Sequence, residues 1–239
     1  MDAQPISPTT AVRGRSTRDR PAKPPLSADA IIDAALAVCR EETLEAVTMR
    51  RVAAELDTGA ASLYVYVRNR EELLGAMFGR VIGMVPVVTP DPARWREQIY
   101  DLLRALREGL EGHPGLAGAL SGEPPTGANA MGGLENLLGL LLAGGIAAQD
   151  AAWACDILGL IVTATAAEAD VRRAAGHTAG AYRDDTVAQI GAAFAGLPPE
   201  RYPLIVAHAS ELVAGNVGDR FRFAIETFLD GLAARSARG

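Results

Sequence analysis

The chain has 239 residues, 49% apolar and 22% charged, enough to bury the core of one large domain or two small ones. Its formal net charge of −6 excludes a protein coated in basic residues for non-specific nucleic-acid binding, so any affinity for a polyanion must come from a local surface. Two cysteines, Cys39 and Cys155, are too few for a disulfide scaffold; both fall in apolar helical patterns, which predicts buried thiols in a reducing cytoplasm.

Residues 1–25 are rich in Pro, Arg, Thr and Ser with almost no large apolar side chains, so burial cannot repay the entropy of ordering them. They read as a flexible basic arm. Arg13, Arg15, Arg18, Arg20 and Lys23 outweigh Asp2 and Asp19 there, a balance of +3. Such an arm either reaches toward a duplex or stays a solvated tail. Residues 27–80 carry six arginines against nine acids, and residues 81–239 supply a further −6.

Ser27 is placed to cap a helix running to about Glu42, with Ile32, Leu36 and Cys39 in one stripe widened by Ile31, Ala35 and Val38. The stretch from Thr48 to Val67 then reads as two short amphipathic helices joined by a tight turn. Thr48 is the cap of the first, and Met49, Val52, Ala53 and Leu56 make its inward face. In the second, Ala60, Leu63 and Val67 share the inward face and turn Ser62, Tyr64, Val65 and Tyr66 outward. A helix that exposes two tyrosines beside a second amphipathic helix is the pattern of a helix-turn-helix. There the second helix enters the major groove, where hydroxyls meet phosphates and apolar groups meet thymine methyls.

Asn69 and Glu72 have the spacing of a capping box opening a fourth helix, whose apolar residues run from Leu73 to Val85 before Pro86. Asp91-Pro92 predicts a cap and first helical residue for a helix in which Trp95, Ile99, Leu102, Leu103, Leu106 and Leu110 hold helical spacing. Glycines and prolines at 112–115 and 122–127 punctuate a short helix. Further helices are predicted at about 128–142, 149–175, 184–195, 203–214 and 219–234. The helix over 149–175 carries no charge from Ile157 to Ala167, which predicts a helix covered nearly all round, shared by a body core and a subunit interface. No strand alternation, heptad array or repeat is present, so the fold class is all-α. Charge-free runs such as 136–149 fall short of a membrane span, which predicts a soluble protein.

The helix-turn-helix residues carry a resemblance. Thr48, Met49 and Arg50, the seam that follows, the Ser62-Leu63-Tyr64-Val65-Tyr66-Val67 run and the Arg70-Glu71-Glu72-Leu73-Leu74 continuation are similar to the TetR family of bacterial transcriptional regulators, over about 26–85. Beyond, GHPGLAGAL at 112–120, LLAGGIAAQDA at 141–151 and the FRFAIETFLDGL ending more loosely resemble the C-terminal domain of its tetracycline-repressor branch. The resemblance implies a helix-turn-helix domain over 26–86 and a helical ligand-binding and dimerisation domain over 87–239. Its fourth helix would link the DNA-reading head to the body, so a ligand that moves that helix changes the spacing of two heads. One departure stands out: the family favours glycine directly after the second helix, and this chain has Asp57, with glycine at 59. Either Asp57 takes the left-handed stop itself, or it caps the next helix while Gly59 takes that role.

The expected DNA-binding set is Thr48, Arg50, Ala60, Ala61, Ser62, Tyr64, Val65, Tyr66, Asn69 and Arg70, with Arg50 on a guanine edge or phosphate and Tyr64, Tyr66 and Arg70 on phosphates. The expected ligand pocket comprises Phe78, Trp95, His113, Met131, Asn136, Trp153, Ile157 and Thr163. Few charges lie in these helices, which predicts a neutral, largely apolar effector. The expected homodimer contact uses Leu160, Ile161, Phe221, Ile225, Phe228, Leu229 and Leu232. His113, His177 and His208 lie far apart, and neither a zinc motif nor a nucleotide-binding or nucleophile-elbow motif accompanies them. No catalytic residue, metal or cofactor is therefore expected. The tetracycline-chelate histidines of the branch have no counterparts, since the corresponding positions fall near Pro86 and Leu120. The reading is a ligand-released repressor on a palindromic operator; the competing one is a helical small-molecule-binding or scaffolding protein without operator binding.

Overall fold

A computed structural model describes residues 25–119, 127–174 and 181–238; the arm expected over 1–25 lies almost wholly outside them. Three of the four head helices begin where a side-chain oxygen accepts an otherwise orphaned amide. In α1 (Ala28–Glu41) Ser27 accepts from Ala30, and in α2 (Met49–Glu55) Thr48 accepts from Arg51. α4 (Arg70–Gly83) starts at Asn69, which accepts from the Glu72 amide. The reciprocal half of the expected box is displaced by one residue, for the Glu72 carboxylate accepts from the Arg68 amide at 2.6 Å. α3 (Ala60–Leu63) is shorter than expected, and Tyr64–Tyr66 continue as a turn. Leu63 and Val67 nevertheless point inward, beside Ile31, Leu36, Val52, Leu73 and Met77, all buried. Each side chain of that size contributes about 1.5–3 kcal/mol of burial. Arg80 of α4 pairs with Asp29 and Asp33 of α1 and closes the head from outside.

The turn after α2 settles the question at Asp57. Its φ is +48°, the sole positive value outside glycine among the described residues, and Gly59 has an ordinary φ of −83° as the residue before α3. The Asp57 amide donates to Ala54 and the Thr58 amide to Ala53, the paired bonds of a Schellman stop with an aspartate at the left-handed position.

The body comprises α5 (Trp95–Glu111), α6 (Leu116–Ala119), α7 (Ala128–Ala143), α8 (Ala148–Ala174), α9 (Ala181–Ala195), α10 (Pro203–Ala207), α11 (Ala209–Val213) and α12 (Val217–Ser236). α5 starts three residues later than Asp91-Pro92 suggested, because Asp91 closes a local turn onto the Ala93 amide. The helix expected over 203–214 breaks at His208. α12 starts earlier, at a full capping box between Asn216 and Asp219. α5 and α8 pack against each other and both meet α6, α7 and α12, while α9 packs with α10 and α11. α4 reaches from the head to lie against α5, α6 and α7.

α8 corrects one expectation. By length and composition it is apolar enough to cross a membrane, with a mean hydropathy of 1.4 over its most apolar window. Ala151, Ala154, Leu158, Val162 and Ala166 bury one face of it in the body, and a core helix satisfies the same composition. Within the single chain Trp153, Ile157, Leu160 and Val171 remain exposed, the part of the helix that a subunit contact would have to cover.

Candidate nucleic-acid interface and ligand cavity

The head presents a surface built from the cap of α2 and from α3 with its turn. Thr48, Arg50, Ala61 and Ser62 are exposed there, Ala60 is half-buried, and Tyr64, Val65 and Tyr66 are 53%, 80% and 44% exposed. Large apolar and phenolic groups standing in water at the tip of a short helix are unusual unless they face a partner. Arg51, next to Arg50, is held by Glu42 and Glu55 at 2.7 and 2.8 Å and pinned to the head.

Two of the expected phosphate contacts are committed elsewhere. Arg70 donates Nε to the Val47 carbonyl and Nη2 to the Leu44 carbonyl, at 2.9 and 2.8 Å, and so ties the loop before α2 to the start of α4. Tyr66 donates its hydroxyl to the Leu26 carbonyl at 2.8 Å. A phosphate oxygen only accepts, so a phenol whose proton is already given has little to offer it. The side-chain oxygen of Asn69 is likewise spent on its cap, which leaves its amide nitrogen to face outward.

Between α4, α5, α7 and α8 lies a cavity of about 1440 Å³, above the 300–1,000 Å³ or so usual for small-molecule sites. Phe78, Ile82, Leu102, Leu106, Leu134 and Leu137 give it apolar walls. Glycines make the room: a Cβ at Gly75, Gly79, Gly132 or Gly159, all on its surface, would meet nothing within 4 Å. At Gly133, also on its lining, the same helices touch closely, and a Cβ would strike Ile82 at 2.7 Å.

Of the expected pocket residues, Phe78, Asn136 and Thr163 line this cavity and five do not. Trp95 is core, packed beneath Gly144 so closely that a Cβ there would overlap the indole. His113 is buried at the end of α5, with Nδ1 2.8 Å from the Gly109 carbonyl; burial lowers its pKa and favours the neutral ring. Met131, Trp153 and Ile157 point to the outside. Asn136 reaches the cavity but is no free handle, because its amide takes the Val88 N–H and donates to the Val88 carbonyl, at 3.2 and 2.7 Å. The charges also differ from a neutral wall: Glu71, Glu72 and Asp156 line it against Arg68 alone. Glycine spacing along α4, at 75, 79 and 83, was the available sequence signal for an open helix face.

The dimer residues divide in the same way. Phe221, Ile225, Leu229 and Leu232 are buried within their own chain, where Phe221 lies 6.2 Å from the Tyr100 ring and 4.8 Å from the Arg107 guanidinium. Phe228 and Ile161 are half-buried, and Leu160 is exposed. Among the described residues of α8 and α12, the exposed large apolar side chains are instead Trp153, Ile157, Leu160 and Val171, with Phe223 71% exposed. The inward stripe of an amphipathic helix and an interface stripe have the same periodicity, so sequence could not separate them.

Cys39 and Cys155 are both free and buried; burial pushes each thiol up to about 11, which makes them poor nucleophiles. Among the described residues no three His, Cys, Asp or Glu side chains converge as metal ligands.

The comparisons agree with this arrangement. Residues 31–77 match the family model for bacterial regulatory proteins of the tetR family, and residues 89–236 match the tetracyclin repressor-like C-terminal domain. The chain belongs to the TetR family. It is a helix-turn-helix DNA-binding regulator with a ligand-responsive body. The HTH-type transcriptional repressor DrrR1 of Streptomyces coeruleorubidus is 33% identical over 214 residues, covering 88% of this chain and 78% of that protein. Apo ActR from Streptomyces coelicolor superposes with a TM-score of 0.80 at 36% identity, over 91% of this chain and 99% of that one. ActR in complex with actinorhodin gives 0.79 at 35%, over 89% and 99%.

Proposed function

We propose that the chain works as a homodimeric repressor whose two heads bind a palindromic operator, and that a small, largely apolar molecule entering the α4–α5–α7–α8 cavity releases it. The observation that carries this reading is the position of α4: one helix starts at the DNA-facing turn and lines the cavity from Glu71 to Gly83. A ligand that displaces it moves the head by the same stroke. A second joint lies beside it. The Pro114 carbonyl accepts from the Cys39 thiol, Gly115 donates to Asp170 at 2.8 Å, and Arg173 donates to the Glu111 carbonyl at 2.6 Å, so the end of α8 grips the loop that touches α1. The resemblance to ActR, which has been seen with actinorhodin, supports a ligand in the body.

In the interface Thr48, Arg50, Ala61, Ser62, Tyr64 and Val65 face the duplex, with Ala60 and Asn69 at its edges; Arg70 and Tyr66 hold the reading elements in place. The exposed faces of α8 and α12 join two copies, which sets the heads about 34–36 Å apart or a multiple of it. Regulation is by binding alone, in the cytoplasm, with no catalytic step, cofactor or metal. A gel shift on a duplex selected by the protein tests the DNA face through Val65→Glu. That position is 80% exposed, so the fold should be retained while a carboxylate meets phosphates and binding is lost. Full binding by a folded Val65→Glu protein would contradict the assigned face.

A further inference from the structure

The head is tied to α4 at both ends of that helix. Arg70 at its start holds the carbonyls of Leu44 and Val47, and Arg80 near its end pairs with Asp29 and Asp33 of α1. The head and α4 therefore move as one piece, and whatever fixes the far end of α4 in the body fixes the head. The Cys39 thiol also reaches the body, at the Pro114 carbonyl 3.5 Å away, but a thiol is a weak donor. Toward its end α4 meets the body closely: a Cβ at Gly109 of α5 would lie 3.0 Å from Val81, and one at Gly133 of α7 would lie 2.7 Å from Ile82.

Beyond that contact the chain runs on as a strap over 86–91, neither helix nor strand, in which Pro86 and Pro90 bring no N–H. Two side-chain amides satisfy its backbone instead. Asn136 of α7 accepts from the Val88 N–H at 3.2 Å and donates to the Val88 carbonyl at 2.7 Å. Gln98 of α5 accepts from the Asp91 N–H at 2.8 Å and donates to the Thr89 carbonyl at 2.9 Å. Asn136 is 8% exposed, and an amide so buried costs free energy unless both its ends are bonded. Both are spent on one residue of the strap. Apolar contact alone would let the strap slide, whereas paired bonds from two helices admit one register.

We propose that Asn136 and Gln98 are positioning residues that set the half-site spacing the protein accepts: they lock the strap, the strap fixes the end of α4, and α4 fixes the head. This rests on the two-headed reading above. Neither residue belongs to the DNA-facing surface, so both act through α4. An operator gripped by two heads gains over a single half-site only while the heads are held at the right separation, because the second contact is then intramolecular and preorganised. One inserted base pair shifts a half-site by about 3.4 Å and turns it by roughly 35°. A locked strap makes that mismatch costly. A loosened one lowers both the gain on the correct spacing and the penalty on a wrong one.

The test uses the full chain and duplexes built on the operator that the wild-type protein selects: the full operator, the same operator with one or two base pairs added or removed between its halves, and a lone half-site. Asn136→Leu keeps the size of the side chain and removes both bonds to Val88. Gln98→Leu removes the other pair at a less buried position and carries the test if the first variant does not fold. Calorimetry and sedimentation identify folded dimers, and anisotropy well below the melting temperature gives the affinities. The wild type should prefer its own spacing over the altered ones by at least about tenfold. A folded variant should bind the lone half-site as the wild type does, the full operator several-fold more weakly, and the altered spacings nearly as well as the full operator. Affinity lost by one common factor on every duplex is what a merely less stable protein gives, and it would overturn the proposal. An unchanged spacing preference in a folded variant would overturn it equally. A wild-type protein that binds the lone half-site as tightly as the full operator would remove the two-headed reading, and the proposal with it.

Discussion

Arg70→Ala separates a structural arginine from a DNA-contacting one. The side chain makes two charge-assisted bonds to the carbonyls of Leu44 and Val47, and bonds of that kind are worth about 1.5–3 kcal/mol each at most. The site is only part-buried, and both freed carbonyls can turn to water, so the low end applies. We expect a loss of about 2 kcal/mol, which in a chain of this length lowers the Tm by roughly 4–8 °C. Arg70→Lys should recover little of it, because a point charge on a flexible stem cannot bridge two carbonyls as a planar guanidinium does. Calorimetry gives the first number, and anisotropy on a bound duplex across a salt series gives the second. If Arg70 is structural, log affinity against log salt keeps its slope well below the Tm. An unchanged Tm with a slope flattened by about one unit, as for a lost phosphate contact, would refute the reasoning.

Asp57→Gly should raise stability by about 1 kcal/mol, since glycine takes a φ of +48° without the cost borne by a side chain; the carboxylate also opposes the dipole at the end of α2, and its removal should tighten operator binding, more so at low salt. Lower stability together with weaker binding would show that the aspartate stabilises the turn. Arg50→Ala should cost about 1–3 kcal/mol of operator binding and relax specificity at one position if it reads a base, as measured by binding to single-base operator variants. Phe223→Asp or Ile157→Asp should yield a folded monomer by sedimentation, whereas Phe221→Asp should unfold the body, because Phe221 is 1% exposed in the single chain. A dimer in the first two variants would place the interface elsewhere.

Much of the fold was legible because capping residues and apolar spacing act locally. Ser27, Thr48 and Asn69 cap the helices they were expected to cap, and the residue out of place at Asp57 marked the turn while leaving open which residue takes the left-handed stop. What failed depended on which neighbour a face meets. Phe221 and Phe223 lie two residues apart on one helix and differ from 1% to 71% exposed, a difference set by where α5 docks. Arg70 and Tyr66 look like phosphate ligands in sequence; only the folded chain brings the Leu44, Val47 and Leu26 carbonyls within their reach. The cavity was hidden for a related reason. Sequence scanning favours large side chains as pocket walls, and here Trp95 and Trp153 serve the core and the outer surface while glycines open the space.

The most direct test is selection from a random-duplex library by the purified full chain at physiological salt. Two reading heads joined through α8 and α12 should enrich one inverted repeat, with half-site centres about one helical turn, or a whole number of turns, apart, bound by two chains per duplex. Enrichment of no sequence over the starting library, or of a single half-site bound by one chain, would contradict the account.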